Sequence, residues 1–514
     1  MDLHIIGSGS FGTALANAFS NSRRIKNVFL LSIEPDVIKE INSNNRNSKY
    51  LSDVKLNKKI IAHNNYSKLK SPGMVIIAVP SKFMMDVCSK IKPFIKDQII
   101  ISASKGLYNG KKTMTSLISA NLTENVVSLS GPSIASELAK GLPCKLIVAG
   151  RNDLTKKTIN MLKTKNVVLT PTTDIEGVQL LGFYKNIIAI LVGICNGLET
   201  GNNFTASIIS KAYTEFYYKN IKRIRRHTFV DAGGVGDLFV TSFSSFSRNQ
   251  LFGTLLGKGH SVKIAEKMIT QTIEGLENMR QVFRYRNKDI LDLNLYSLFR
   301  EILSKKHNPH NLKKMLIDYL SSNQIKAVLF DWGGVLTKGV FIKRIAMTLA
   351  CKYDLDEDEL FTLIDSEEAN LLMNKESFKD FFKRINKFDF SFDIFKKIYL
   401  DSVTENKELI LFLKKLKKTK RLFILSNNYS FISPILRKKY KNVFEDMFFS
   451  DDLGLIKPDI NIFRHAIREI GLPPSQCLFV DDTLKNIKTA EEKGFNTIHF
   501  RSFSQFRKEI AKYI

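Results

Sequence analysis

The sequence has no paired cysteines. Its five, Cys88, Cys144, Cys195, Cys351 and Cys477, are scattered without a C-x-x-C pair, so neither a disulfide framework nor a zinc site is indicated. The first apolar strand begins at Leu3, so no signal or transit peptide is expected. No apolar run approaches the roughly 20 residues needed to cross a bilayer, and a cytoplasmic protein is expected. Internal repeats and low-complexity segments are also missing. Acidic residues are few: 50 Asp and Glu stand against 78 Lys and Arg, a formal net charge of +28. The surplus is uneven, +22 over residues 1–324 and +6 over residues 325–514. It consists mostly of single lysines, and the one main cluster is Lys222-Arg223-Ile224-Arg225-Arg226. Clusters that bind nucleic acid are denser and interleaved with aromatics, so no nucleic-acid partner is expected. Attraction of small anionic substrates accounts for the charge better.

What remains is a globular composition, 44% hydrophobic and 10% aromatic over 514 residues, too long for a single core. Apolar strands are expected at Leu3–Ile6, Val28–Ser32, Met74–Val79, Ile99–Ser102 and Val126–Ser130. Turns and helices alternate with them to about residue 170, as in a doubly wound α/β sheet. The pattern is helical from Ile175 to about Tyr319. A polar linker at 321–325 follows, then a strand ending in Asp331 and a helical, charge-rich insert at about 340–403. Strands resume at Leu422–Ser426, Met447–Ser450, Cys477–Val480 and Thr497–Phe500. The predicted domains are therefore 1–172, 173–320 and 326–514.

Two strand-to-loop junctions carry chemistry. In the first, HIIGSGSFGTALANAF, Gly7 allows a tight turn and Gly9 lets the backbone approach a pyrophosphate. Gly12 lets helix and strand pack closely, and the helix N-terminus stabilises phosphate charge. Glu34, just past the second strand, can bond the ribose hydroxyls of NAD and repel the extra phosphate of NADP. A surface charge opening the next helix is the plainer reading of Glu34, and Ser32 is an alternative ribose contact.

The segments GSGSFGTALA, AVPS (78–81), SASKG (102–106), LSGPS (129–133), LLGFYKNIIAI (180–190), GGVGDL (233–238), SRN (247–249) and QTIEG (271–275) occur in one order. In order and spacing they resemble the NAD(P)-dependent glycerol-3-phosphate dehydrogenases over about residues 1–318. The resemblance implies a Rossmann domain, a helical substrate domain and interconversion of dihydroxyacetone phosphate and sn-glycerol 3-phosphate. It implies Lys185 as general acid/base, Asp237 as its orienting acid, and Lys105 as a second lysine against substrate and cofactor. Gly131, Ser133, Asn186, Thr241, Ser247, Arg248 and Asn249 are implied on the substrate side. Ser10, Phe11, Ala135, Arg248 and Glu274 are implied on the cofactor side. An Arg fork suits phosphate geometry. Ile33-Glu34 stands where NADP-using members often place Arg, so NAD(H) is favoured. A homodimer is possible on this reading.

The second junction is IKAVLFDWGGVL. Asp331 at the end of a buried strand can attack phosphorus and form an aspartyl-phosphate. Ser426, with its neighbour Asn427, and Lys457 can hold phosphoryl oxygens. Asp481 and Asp482, with Asp331, can bind Mg²⁺. In order and spacing these residues resemble the haloacid dehalogenase-like hydrolases over about 325–514, with a helical cap at 340–403. That family's phosphatases normally carry a second Asp two positions after the nucleophile; here Gly333 occupies it. A proton donor at that point is worth about 10²–10⁴-fold. Three readings follow for this half: a Mg²⁺-dependent phosphatase with sn-glycerol 3-phosphate as the candidate ester, a phosphatase of another sugar phosphate, or an inactive or regulatory phosphate-binding module.

Overall fold

A computed structural model describes residues 1–513 except 72, 245–246, 270, 286–293, 305, 322–324, 339–340, 354–355, 374, 376, 378–379 and 382–390. The chain divides into two compact units, Met1–Ser321 and Ser322–Ile514. The predicted linker 321–325 therefore falls largely outside the described residues, as does part of the predicted cap.

The first unit is built on a sheet of eight strands. They are β1 (Asp2–Ile6), β2 (Val28–Leu31), β3 (Ile60–His63), β4 (Gly73–Ile77), β5 (Ile99–Ser102), β8 (Val126–Ser130), β9 (Cys144–Ala149) and β10 (Val167–Thr172); a small ribbon, β6 (Leu107–Tyr108) with β7 (Lys112–Thr113), lies apart. The order is β10-β9-β8-β5-β4-β1-β2-β3, and every pairing is parallel except β8 with β9. The short, β-branched strands read as near-continuous apolar runs because helices cover both faces. The order reverses at β1, where Ile6 is flanked by Leu31 and Ile77. Such a reversal opens a crevice at the strands' carboxyl ends, which is where ligands bind in sheets of this kind.

After β10 the unit is helical. Its axis is the 23-residue helix Ile175–Gly197, opened by Asp174, whose carboxylate accepts from the Gly177 N–H at 3.0 Å. This corrects one expectation from the sequence. The helix has a mean hydropathy of 1.8 over an 18-residue window, long and apolar enough to cross a membrane by length and composition. That window is wholly buried inside the protein, and Lys185 and Asn186 lie within the helix, so packing explains its apolarity. The Arg248–Gly257 helix crosses it at glycines: a Cβ on Gly253 would stand 2.0 Å from the Ile190 carbonyl oxygen, and one on Gly193 2.0 Å from that of Gln250.

The second unit has a five-stranded, all-parallel sheet in the order β15-β14-β11-β16-β17. These are β11 (Ala327–Phe330), β14 (Arg421–Ser426), β15 (Asp446–Phe449), β16 (Cys477–Asp481) and β17 (Asn496–His499). A ribbon of β12 (Thr337–Lys338) and β13 (Thr404–Glu405) flanks the helices that follow β11. The first strand, β11, is again central, and its carboxyl end meets those of β14 and β16.

Candidate active sites

In the first unit, Gly7 has φ +109°, and a Cβ there would lie 2.7 Å from the Ala78 carbonyl oxygen. A Cβ on Gly12 would lie 1.9 Å from the Gly7 carbonyl oxygen, so loop and helix touch backbone to backbone. Gly9 differs: a Cβ there would meet nothing within 4 Å. The loop is therefore closed on its protein side and open on the other. That is the fit a pyrophosphate requires at the start of the Ser10–Ser20 helix.

Glu34 lies just beyond β2 and opens the helix Pro35–Asn44. Its carboxylate accepts from the Lys49 ammonium and, at 2.7 Å, from the Tyr50 hydroxyl. These two partners hold the Glu34 carboxyl below the usual carboxylate range. Ser32 stays close by, accepting from Ser8 at 2.6 Å and from the Glu34 N–H at 3.2 Å.

The reactive groups gather where the long helix meets the sheet. Asp237, 1% exposed, begins the Asp237–Phe243 helix directly after a glycine-rich turn, Ala232–Gly236. That turn is capped by Asp231, which also pairs with Lys145 of β9 at 2.6 Å. One Asp237 oxygen binds the Lys185 ammonium, and the other binds Lys105 at 2.8 Å. Lys185 also donates to Thr241 at 2.7 Å. Burial, with the neighbouring Lys105 charge and against the pull of Asp237, pushes Lys185 down to about 7. Lys105 pays the same desolvation, but Asp237 holds it above its ordinary value. One buried carboxylate serves two ammonium groups, buried Lys185 and the partly exposed Lys105, and Lys185 is the one whose proton is held loosely near neutrality.

Around this cage, Asn186 donates to Glu274 at 3.0 Å, and Asn249 donates to Asn186 at 3.1 Å while accepting the Gly275 N–H at 2.8 Å. The network ties three helices together behind Lys185. Ser247 caps the Arg248–Gly257 helix, and Arg248 is exposed with no acidic partner among the described residues. On the sheet side, Ser133 donates to the Gly131 carbonyl at 2.9 Å, and Ala135 opens a helix.

In the second unit Asp331 is 8% exposed, and its carboxylate accepts the Trp332 N–H at 2.7 Å at the start of the turn Trp332–Leu336. Lys457, 4% exposed, bridges Asp331 at 2.9 Å and Asp481 at 2.6 Å. Burial, reinforced by Asp481 and opposed by Lys457, pushes Asp331 up to about 7. Oxygen atoms of Asp331, Asp481 and Asp482 lie within 4.8 Å of one another. An all-oxygen carboxylate set of this kind fits a hard divalent cation such as Mg²⁺. Asn486 donates to both Asp481 oxygens at 3.1 Å, and the Thr483 N–H adds a bond at 2.8 Å. Ser426 ends β14 beside Asp331, and Asn427 spends its amide on the Lys457 backbone, donating at 3.0 Å and accepting at 2.7 Å. It thereby positions the lysine loop. At Gly333 an added Cβ would meet nothing within 4 Å, whereas at Gly334, φ +68°, it would stand 1.9 Å from Asp482.

Residues 2–156 match the family described as NAD-dependent glycerol-3-phosphate dehydrogenase N-terminus, and residues 174–314 match its C-terminus. The chain belongs to the glycerol-3-phosphate dehydrogenase family. Residues 325–494 match the haloacid dehalogenase-like hydrolases, so a hydrolase domain is fused behind the dehydrogenase. A glycerol-3-phosphate dehydrogenase of Brachyspira hyodysenteriae is 34% identical over 334 residues, covering 63% of this chain and 98% of its own. One from Carboxydothermus hydrogenoformans is 34% identical over 288 residues, 54% of this chain and 85% of its own. The crystal structure of glycerol-3-phosphate dehydrogenase from Coxiella burnetii is 30% identical, with a TM-score of 0.57 over 62% of this chain and 98% of that one.

Sequence reasoning placed Lys105, Lys185, Asp237 and Thr241 as separate motifs, and the structure brings them into one cage. It likewise brings Asp331, Ser426, Lys457, Asp481 and Asp482 together. Sequence reasoning missed Lys49, Tyr50 and Asn486. Lys49 and Tyr50 lie on a four-residue helix, Ser48–Leu51, with no motif of its own. Asn486 had a usable signal, its place five residues after Asp481 at the start of a helix.

Proposed function

We propose that the first unit reduces dihydroxyacetone phosphate to sn-glycerol 3-phosphate, and catalyses the reverse, with NAD(H) as the favoured nicotinamide cofactor. The observation that carries this reading is the Lys185–Asp237–Lys105 cage, built on a buried carboxylate, in the same unit as an open glycine loop. A bound nicotinamide cofactor would supply the hydride for the ketone carbon. Lys185, with its proton loosely held near neutrality, gives it to the oxygen as the alkoxide develops. Lys105 keeps its charge and steadies the same oxygen region. Asp237 orients both ammonium groups, and the exposed Arg248 is free to fork onto the substrate phosphate. Glu34 faces the ribose side and favours NADH over NADPH.

We propose further that the second unit is a Mg²⁺-dependent phosphatase of a small phosphate ester, with sn-glycerol 3-phosphate as the candidate. Asp331, Asp481 and Asp482 would hold the Mg²⁺, which would neutralise charge developing on the phosphoryl oxygens. An Asp331 oxygen bonds to phosphorus as the bond to the leaving oxygen breaks, and water then cleaves the aspartyl-phosphate. Lys457 and Ser426 hold the phosphoryl group during both steps. The net reaction is ester plus water to glycerol plus inorganic phosphate.

Incubating the purified chain with dihydroxyacetone phosphate, NADH and Mg²⁺ is expected to consume NADH and release both glycerol and inorganic phosphate. Asp331→Asn is expected to abolish phosphate release and to leave NADH consumption intact. Phosphate release unchanged in that variant would remove Asp331 as the nucleophile. A second reading, a phosphate-binding domain without turnover, is favoured by Gly333, which leaves open space where a carboxylate would serve as acid. Absence of hydrolysis across a panel of phosphate esters would select it.

A further inference from the structure

We propose that Lys49 sets the dehydrogenase's tolerance for a 2′-phosphate on the cofactor's adenosine ribose, making its preference for NADH over NADPH shallow. The inference rests on the dehydrogenase reading above and refines its cofactor.

A lone carboxylate past β2 would bring a full negative charge to the ribose side of the crevice and repel a 2′-phosphate strongly. Glu34 is not alone. The short helix Ser48–Leu51 brings the Lys49 ammonium onto one carboxylate oxygen and the Tyr50 hydroxyl onto the other. That helix is fastened to the cofactor loop itself, because Ser10, the first residue after Gly9, donates its hydroxyl to the Tyr50 carbonyl at 2.9 Å. The cation is therefore held at the ribose end of the pyrophosphate site by the same residues that form that site.

The pair is close to neutral, and its two members are unequally placed. The Lys49 side chain is 54% exposed and that of Glu34 is 25% exposed, so the ammonium stands on the solvent side. Asp36 also acts on Lys49, and with Glu34 it raises the lysine above its ordinary value. A lysine ammonium is a compact charge on a flexible stem with three donors. It can move from the Glu34 oxygen to a 2′-phosphate without rebuilding the helix beneath it. With NADH bound it stays on Glu34, whose oxygens retain lone pairs for the ribose hydroxyls. The same two residues thus accept either ribose, and Lys49 decides how steeply one is preferred.

The test is the ratio of kcat/KM for NADPH to that for NADH, measured on the full chain with saturating dihydroxyacetone phosphate. In the wild-type protein a ratio within about tenfold of unity is expected. Lys49→Gln is expected to lower the ratio at least about tenfold, with the change in KM for NADPH, while Lys49→Arg keeps it within roughly threefold. Glu34→Gln is expected to move it the other way, since Lys49 then has no competing anion. Titration of the same variants with 2′,5′-ADP and with 5′-AMP reads the effect without turnover: Lys49→Gln should weaken only the first. A ratio that Lys49→Gln leaves within twofold of wild type, or equal weakening of both adenosine phosphates, overturns the proposal. Wild-type protein that oxidises neither nucleotide would instead overturn the dehydrogenase reading on which it stands.

Discussion

A single buried carboxylate shared by two lysines is expected to set the pH behaviour of this dehydrogenase. Asp237 compensates one ammonium group well and a second poorly, and the deficit falls on Lys185, pushed down to about 7. When Lys185 acts as acid, in ketone reduction, the protonated form is needed. When it acts as base, in alcohol oxidation, the neutral form is needed. The kcat for reduction is therefore expected to fall as pH rises through about 7, and the kcat for oxidation to rise over the same range. Profiles measured in both directions check this; parallel profiles would exclude Lys185 as the group that titrates. Lys185→Met should lower kcat in both directions by about 10²–10⁴-fold. In the second unit Lys457 has the converse task, one ammonium between two carboxylates, and is held above its ordinary value: burial works against its charge, and Asp331 and Asp481 outweigh burial.

Among elements, the long helix Ile175–Gly197 does most to position chemistry. It carries Lys185 and Asn186, and it is crossed at Gly193 and Gly197 by the glycines of the Arg248–Gly257 helix. That crossing sets the distance between Lys185 and the Ser247–Asn249 segment. Gly253→Ala puts a methyl 2.0 Å from the Ile190 carbonyl oxygen, so the helices must separate. The expected result is a loss of about 1–3 kcal/mol in stability. A fall in kcat/KM for dihydroxyacetone phosphate should accompany it. Urea unfolding and steady-state rates on the one variant measure both, and an unchanged unfolding midpoint would show that the crossing has slack. The sequence marked this element only as part of a helical, amphipathic stretch from Ile175 to about Tyr319, whereas the helix is buried nearly all round. It did not mark its apolar length, because Lys185 and Asn186 interrupt the run that a linear reading counts. Nor were β3, β9 and β10 named beforehand; the two edge strands, β3 and β10, carry exposed positions that break an apolar run.

Across the whole molecule, two units divide at Ser321 and Ser322, and each carries one reactive centre at the carboxyl ends of its central strands. Mg²⁺ should distinguish them. Asp331, Asp481 and Asp482 crowd their oxygens within 4.8 Å, with Lys457 as the buried counter-charge that Asp331 and Asp481 share. A cation bound only by the folded state stabilises it by about 2.7 kcal/mol at a concentration 100-fold above its Kd. Calorimetry of the full chain is expected to show one unfolding step moved upward by Mg²⁺, with the other unmoved. Asp482→Asn should remove the shift. A shift that survives this variant would place the metal elsewhere.

What the sequence by itself determined was local: the glycine loop after β1, Asp331 just past β11, the paired aspartates at the end of β16, and the families to which both halves belong. These are legible because a strand, its turn and the next helix lie within about 20 residues, and each has a distinct composition. The tertiary structure decided which groups share a proton and which share a charge. Lys105 reaches Asp237 across 132 positions, Lys185 across 52, and Lys457 reaches Asp481 across 24. It also converted Glu34 from a lone carboxylate into one half of an ion pair with Lys49. Electrostatic coupling depends on distance and burial, not on separation along the chain, so only the folded molecule contains it.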